Sequence, residues 1–243
     1  MMIALVDIGN TRTKYVYQKG QDLSAIEAVA NEQVTMMWLD QHFSAISQLI
    51  VANVSQNSLS ELITSWAERH RVDLHLVRTE KKRFGIVSAY NQPEKLGVDR
   101  WLAMIGAYKL YPGKNMLIID AGTATTVDLL AASGEHLGGW IIPGIDTMFN
   151  SILQQTANVA ADKGENASIA FGRDTNENVN NACWAATVGA IEVAIRQAET
   201  VVSALDLVLM TGGNEKALSN LLESKVTSVK NLVFVGLQAY IAE

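Results

Sequence analysis

Two short stretches of this chain carry the residue types that hold anions at the end of a strand. In "VDIGNTRTK" (6–14) an apolar run stops at Asp7, and Ile8 and Gly9 lead into Asn10, Thr11, Arg12, Thr13 and Lys14. In "IIDAGTATT" (118–126) the run stops at Asp120, and Gly122 is followed by Thr123, Ala124, Thr125 and Thr126. A glycine turn lets the backbone approach a ligand and aims successive N–H groups into a concavity suited to an anion. The hydroxyls and the amide add neutral donors. An aspartate repels phosphate, but it can hold a cation, or a water in the cation's shell, that phosphate also binds. One Asp-x-Gly is a weak signal. Two at corresponding places could clamp nucleotide phosphates from both sides.

A third stretch, "KLGVDRWLA" (95–103), puts Asp99 and Arg100 at the first turn of an apolar helix, just after Gly97. Phosphoryl transfer to an alcohol needs positioned phosphates, a cation and a carboxylate near the attacking hydroxyl. Asp99 is a candidate for that carboxylate. Helix capping by Asp99 with a solvated Arg100 is an equally good reading of the same pair. A Walker loop is absent, as is a G-x-G-x-x-G opening a helix after a strand. His42, His70, His75 and His136 show no paired ligand spacing, and they read as surface or packing residues.

The elements around these stretches repeat. Strands are expected at 3–8 and 12–18, then a helix over 34–43, a strand at 49–54, a helix over 59–70, a strand at 72–77 and a helix over 98–111. Pro112-Gly113 marks a boundary. "MLIIDAGTATTVDLL" (116–130) then matches "IALVDIGNTRTKYVY" (3–17), pairing Asp7 with Asp120, Gly9 with Gly122, Asn10 with Thr123 and Thr13 with Thr126. A third strand at 136–144, helices near 145–156 and 176–204, and a strand at 205–210 leading into "TGGN" complete the second copy. Coincidence is the alternative to duplication, but the agreement of flanking strands and turns favours two α/β domains of similar fold, 1–112 and 113–243.

The 243 residues are 49% hydrophobic and 18% charged, with a mean hydropathy of +0.12. That is enough for a large core. A net charge of −6 argues against a nucleic-acid partner, which needs a basic face. The basic run Arg78-Thr79-Glu80-Lys81-Lys82-Arg83 is the exception and reads as a solvated loop. Cys183 stands alone, which excludes an internal disulfide and fits a reducing compartment; it reads as a small buried residue. The start "MMIALVD" lacks a basic leader, and no stretch reaches the roughly 18 apolar residues of a membrane span. A soluble cytoplasmic protein without membrane partners is expected.

"DIGNTRTK", "YNQPEKLGVDRWLA", "DAGTATTVD", "GGWIIPG" and "FGRDT" stand in the order and spacing of type III pantothenate kinases, which the chain resembles over nearly its whole length. That family belongs to the superfamily of sugar kinases, actin and heat-shock ATPases. The resemblance implies two tandem ribonuclease H-like domains with an interdomain nucleotide cleft. It implies ATP-dependent phosphorylation of the primary hydroxyl of pantothenate, the first step of coenzyme A biosynthesis. By the same resemblance Asp7 to Lys14 form the first phosphate loop, with Asn10, Thr11 and Lys14 nearest the phosphates, and Thr123 binds phosphate from the second. Asp120 holds a monovalent cation, potassium or ammonium, and Mg²⁺ accompanies ATP. Tyr90, Gly97, Val98, Asp99 and Arg100 contact pantothenate, with Asp99 as general base. Thr175 completes that site across a homodimer interface, and the "TGGN" turn lies against the adenosine.

The chain departs from the family pattern at Asn178 and Ala182, where a small apolar residue and a glycine are usual, and in "TANVA" (156–160), which lacks a Leu-Pro pair. Two other functions fit paired Asp-x-Gly loops. One is a sugar or polyphosphate kinase or phosphatase of the superfamily, against which "LGVDRW" and the short first domain argue. The other is an actin-like ATPase module or a regulatory factor, for which the chain offers no basic patch.

Overall fold

The computed structural model describes residues 2–20, 22–55, 57–156 and 159–241. It divides into two compact units, Met1–Leu110 with Asn231–Glu243, and Tyr111–Lys230. Among the described residues no helix is long and apolar enough to cross a membrane.

In the first unit, β1 (Met2–Ile8) and β2 (Arg12–Lys19) form an antiparallel hairpin. The short strands β3 (Asp22–Leu23) and β4 (Glu27–Ala30) both pair antiparallel with β2. After α1 (Met36–Phe43) comes β5 (Gln48–Asn53), parallel to β1; after α2 (Asn57–His70) comes β6 (Asp73–Leu76), parallel to β5. The sheet order is therefore β3-β2-β1-β5-β6. Side chains alternate along β1: Ala4, Val6 and Ile8 join Phe43, Ile63 and Trp66 in one apolar cluster, so Leu5 and Asp7 point to the opposite face. A hairpin of β7 (Lys82–Arg83) and β8 (Ile86–Val87) precedes α3 (Val98–Leu110).

The second unit repeats the plan. Strands β9 (Met116–Ala121), β10 (Ala124–Leu130) and β11 (His136–Pro143) form an antiparallel meander. Helices α4 (Ile145–Gln155) and α5 (Thr175–Val201) follow, then β12 (Leu207–Thr211), parallel to β9. Helix α6 (Glu215–Leu221) leads to β13 (Thr227–Ser228), parallel to β12. The order β11-β10-β9-β12-β13 places third, second, first, fourth and fifth strands side by side; the first sheet has the same order once β3 and β4, both paired with β2, are taken as one broken third strand. Two tandem ribonuclease H-like domains are what the sequence implied, and each unit has that topology.

The expected helices and strands form, with ends shifted by a few residues. The short elements β3, β4, β7, β8, α6 and β13 are too brief to show a hydrophobic period. The chain's end differs more. Residues 113–243 read as one domain, yet the contacts return Asn231–Glu243 to the first unit. There α7 (Leu232–Leu237) packs along α3. Two glycines make this approach possible: a Cβ on Gly106 would strike the Leu232 carbonyl, and one on Gly236 would strike the Leu102 carbonyl. Tyr240 closes the contact, accepting a hydrogen bond from Trp101 Nε1 at 3.0 Å.

Alanine favours helix over glycine, so a free surface would gain from Gly236→Ala. Here the backbone contact dominates, and the substitution is expected to cost about 1–3 kcal/mol of stability, measured by denaturant unfolding. An unchanged or raised midpoint would contradict the close packing.

Candidate active site

The first turn is built at the carboxyl end of β1. Asp7 faces Lys14 across the hairpin, and Ile8 faces Thr13. The turn closes with Gly9 N–H donating to the Arg12 carbonyl at 3.0 Å. Asn10, Thr11, Arg12 and Lys14 are exposed, Asp7 and Gly9 are half-buried, and Ile8 and Thr13 are buried. The eight residues thus sort by side-chain alternation: Ile8 and Thr13 serve the core face, and their neighbours are presented outward. Thr13 Oγ1 donates to Asn31 Oδ1 at 2.9 Å, and Asn31 Nδ2 donates to the Gly9 carbonyl at 2.8 Å. Asn31, which directly follows β4, carried no sequence signal because β4 itself was not recognised.

The second turn is one residue shorter. Asp120 faces Thr126, Ala121 faces Thr125, and Gly122 N–H donates to the Ala124 carbonyl at 3.0 Å. Asp7 and Asp120 keep the correspondence read from the sequence, but Thr13 corresponds to Thr125, not to Thr126. Both of these threonines are 1% exposed. An ungapped alignment could not register the lost residue. Thr123 is exposed, and its carbonyl accepts from Gly144 N–H at 3.1 Å and Thr147 Oγ1 at 2.9 Å. The T-G-G-N turn presses on the same strand end. Gly212 has φ +99°, and a Cβ there would lie 2.5 Å from Asp120 Oδ1, while Asn214 N–H donates to the Ala121 carbonyl at 3.1 Å. Residue 212 therefore has to be glycine if the Asp120 carboxylate is to keep its place.

Tyr90, Gly97, Val98, Asp99 and Arg100 come together at the start of α3. Asp99 Oδ1 accepts the Arg100 N–H at 2.8 Å, and a Cβ on Gly97 would sit 2.5 Å from that oxygen. Arg100 is 4% exposed, not solvated, and donates from Nη1 to the Tyr90 hydroxyl at 3.0 Å. Val98 is buried, and with Gly97 it lines a cleft of about 400 Å³. Asn53, Val54, Arg78, Thr79 and Leu96 also line it. The basic run beside the cleft is exposed at Arg78, Lys81 and Lys82, as a solvated loop would be, but two of its side chains also make contacts. Lys81 Nζ donates to the carbonyls of Ser88 at 2.7 Å and Tyr90 at 3.1 Å, and the Arg83 guanidinium lies over Phe84 and Tyr240 at 5.1 and 5.0 Å.

Thr175, in the second unit, is exposed at the first turn of α5. Asp174 caps that helix by accepting from Glu177 N–H at 2.8 Å, and Glu177 Oε2 accepts from the N–H of Arg173, the residue before the cap, at 2.8 Å. Asn178 and Ala182 are exposed on α5, whereas Ala157 and Asn158 of "TANVA" lie outside the described residues. Cys183 is buried beside Ile145, Phe149 and Val179. Burial raises its thiol pKa, with Asp146 adding to the effect, so it stays protonated near neutral pH. The histidines pack: His42 stacks on Trp38 and His70 on Trp66, while buried His136 meets Asp128 at 3.0 Å. Among the described residues no three His, Cys, Asp or Glu side chains converge as a metal site. A cation at either turn would take one carboxylate, Asp7 or Asp120, and complete its oxygen shell from phosphate, backbone or water.

Solved structures of low identity share this fold. A Campylobacter jejuni protein named for the Baf family of transcriptional activators superposes with a TM-score of 0.62 at 20% identity, covering 98% of this chain and 97% of its own. The activator of 2-hydroxyisocaproyl-CoA dehydratase from Clostridium difficile, solved with ADPNP, gives 0.53 at 14% identity, covering 98% and 91%. Sequence carries the relationship further. A type III pantothenate kinase of Colwellia psychrerythraea is 45% identical over 249 residues, covering 98% of this chain and all of the relative. The family model for type III pantothenate kinase matches residues 3–197. On that match and the full-length identity, the chain belongs to the type III pantothenate kinase family.

Proposed function

We propose that the protein transfers the γ-phosphoryl group of ATP to the primary hydroxyl of pantothenate, giving 4'-phosphopantothenate and ADP at the entry to coenzyme A biosynthesis. The observation that carries this reading is the cluster at the start of α3, where Asp99 accepts from the Arg100 N–H, Tyr90 holds the buried Arg100 guanidinium, and the adjoining Gly97 and Val98 line a cleft of about 400 Å³. That volume falls in the range of small-molecule pockets, about 300–1,000 Å³.

In this reading Asp99 is the general base. As the hydroxyl oxygen bonds to the γ-phosphorus, its proton passes to the Asp99 carboxylate and the bond to the β,γ-bridging oxygen breaks, releasing ADP. Asn10, Thr11, Arg12 and Lys14 meet the phosphates from the first turn and Thr123 from the second. Ile8 and Thr13, at 0% and 1% exposure, belong to the loop from its buried side. Arg100, fixed by Tyr90, offers its planar fork to an acceptor oxygen. Mg²⁺ accompanies ATP, and the single carboxylate at each turn fits an ion that keeps phosphate and water ligands. Asp120 holds potassium or ammonium, with Gly212 leaving its carboxylate room.

The functional form is a homodimer in which Thr175 completes the acceptor site of a second copy. Phe171, four residues before Thr175, is fully exposed, and Ile169 and Ile141 are also exposed on the second unit. A solvent-facing phenylalanine next to a proposed site residue is the kind of apolar surface a partner copy covers.

An ATP-consumption assay over a panel of alcohols tests the assignment. Turnover is expected with pantothenate, and Asp99→Asn should lower kcat by about 10²–10⁴ while ATP binding persists. Turnover of a hexose but not pantothenate, or near-wild-type rates in Asp99→Asn, would sink it. Potassium or ammonium should support activity where sodium alone does not; equal rates in the three salts count against the role of Asp120. Phe171→Asp should shift the protein to a monomer in light scattering and raise the KM for pantothenate. A stable dimer in that variant contradicts the interface.

A further inference from the structure

Asn31 touches the first turn at three places and belongs to none of the segments that the family resemblance marks. Its Nδ2 donates to the Gly9 carbonyl at 2.8 Å, and its backbone N–H donates to the Thr11 carbonyl at 3.1 Å. Its Oδ1 accepts from the buried Thr13 hydroxyl at 2.9 Å. The Gly9 carbonyl, which can only accept, fixes the amide orientation, and the Thr13 hydroxyl then donates to the oxygen. With the amide reversed, Oδ1 would face the Gly9 carbonyl, acceptor against acceptor.

In a trans peptide the carbonyl of one residue and the N–H of the next point to opposite sides. Holding the Gly9 and Thr11 carbonyls on the Asn31 side therefore aims the N–H groups of Asn10 and Arg12 away from it, out of the turn. The second unit has the same device made of a different residue. Gly144 directly follows β11 as Asn31 follows β4, and its N–H takes the Thr123 carbonyl at 3.1 Å. A Cβ on Gly144 would lie 2.5 Å from the carbonyl oxygens of Gly122 and Thr123. The shorter turn sits so close to the third strand's end that only glycine fits. The longer first turn leaves a gap that an asparagine side chain bridges.

Resting on the kinase reading above, we infer that Asn31 is the positioning residue of the nucleotide site: it orients the Asn10 and Arg12 amides toward the ATP phosphates without touching ATP itself. Asn31→Asp tests this with little change of shape. It keeps the backbone bond to Thr11 and the acceptor for Thr13, but it sets a carboxylate oxygen against the Gly9 carbonyl.

The readout is calorimetric binding of the ATP analogue AMPPNP and, separately, of pantothenate to the full chain with Mg²⁺ and potassium, alongside thermal unfolding. AMPPNP binding is expected to weaken about tenfold in Asn31→Asp while pantothenate affinity stays within about twofold. Thr13→Val removes only the bond that anchors the amide oxygen, and it should weaken AMPPNP by about threefold. Unchanged AMPPNP affinity in both variants overturns the inference, and so does an equal loss for both ligands that tracks a lowered melting temperature. A wild type that binds AMPPNP without phosphorylating pantothenate would count against the kinase assignment; the inference about Asn31 is decided by the affinity ratios alone.

Discussion

A planar trans peptide cannot send its carbonyl and its N–H the same way, and both Asp-x-Gly turns are organised around that constraint. To offer amides to an anion, a turn must have its carbonyls satisfied behind it. In each unit the residue just past the strand that flanks the hairpin does this, Asn31 at Gly9 and Thr11, Gly144 at Thr123. The hairpin strands are themselves held by buried faces, Ala4, Val6 and Ile8 in one unit and Leu117, Ile119 and Ala121 in the other. The apolar run before each aspartate and the polar cluster after it are thus parts of one device. Burial fixes where the strand ends, and the strand end fixes where the amides point.

The start of α3 answers a different demand. A guanidinium at 4% exposure is costly to bury unless its donors are met. Tyr90 meets one of them, and Tyr90 is held in turn by Lys81 at its carbonyl and Ser88 Oγ at its N–H. The back of α3 is fixed by α7, through the glycine contacts at Gly106 and Gly236 and the bond from Trp101 to Tyr240. The chain's last helix therefore buttresses the helix that presents Asp99, although about half the sequence lies between them.

Much of this was legible in the residues. The strands before Asp7 and Asp120, the helix from Val98 and the repeated order of elements follow from hydrophobic period and turn chemistry. The motifs at the two turns and at Gly97–Arg100 were specific enough to imply a family. Asn31 was not legible, because it acts through a four-residue strand with no period of its own and through backbone carbonyls, which no side-chain pattern reports. The contacts of exposed Lys81 and half-buried Arg83 were hidden for the same reason: their partners, two carbonyls and two aromatic rings, are set by the hairpin and by the returning C-terminus. The pairing of Thr13 with Thr126 failed by one residue, since a shortened turn changes register without changing composition.

The sequence alone determined which residues could carry chemistry and on which elements they lie, because alternation and helical period are local and are written into consecutive residues. Only the tertiary structure decided that Thr13 matches Thr125, that Arg100 is buried against Tyr90 and that residues 231–243 belong with the first unit. Those outcomes depend on carbonyl directions, on space for a Cβ and on contacts between distant segments. Such quantities arise when separate elements meet, and no stretch of the chain encodes them by itself.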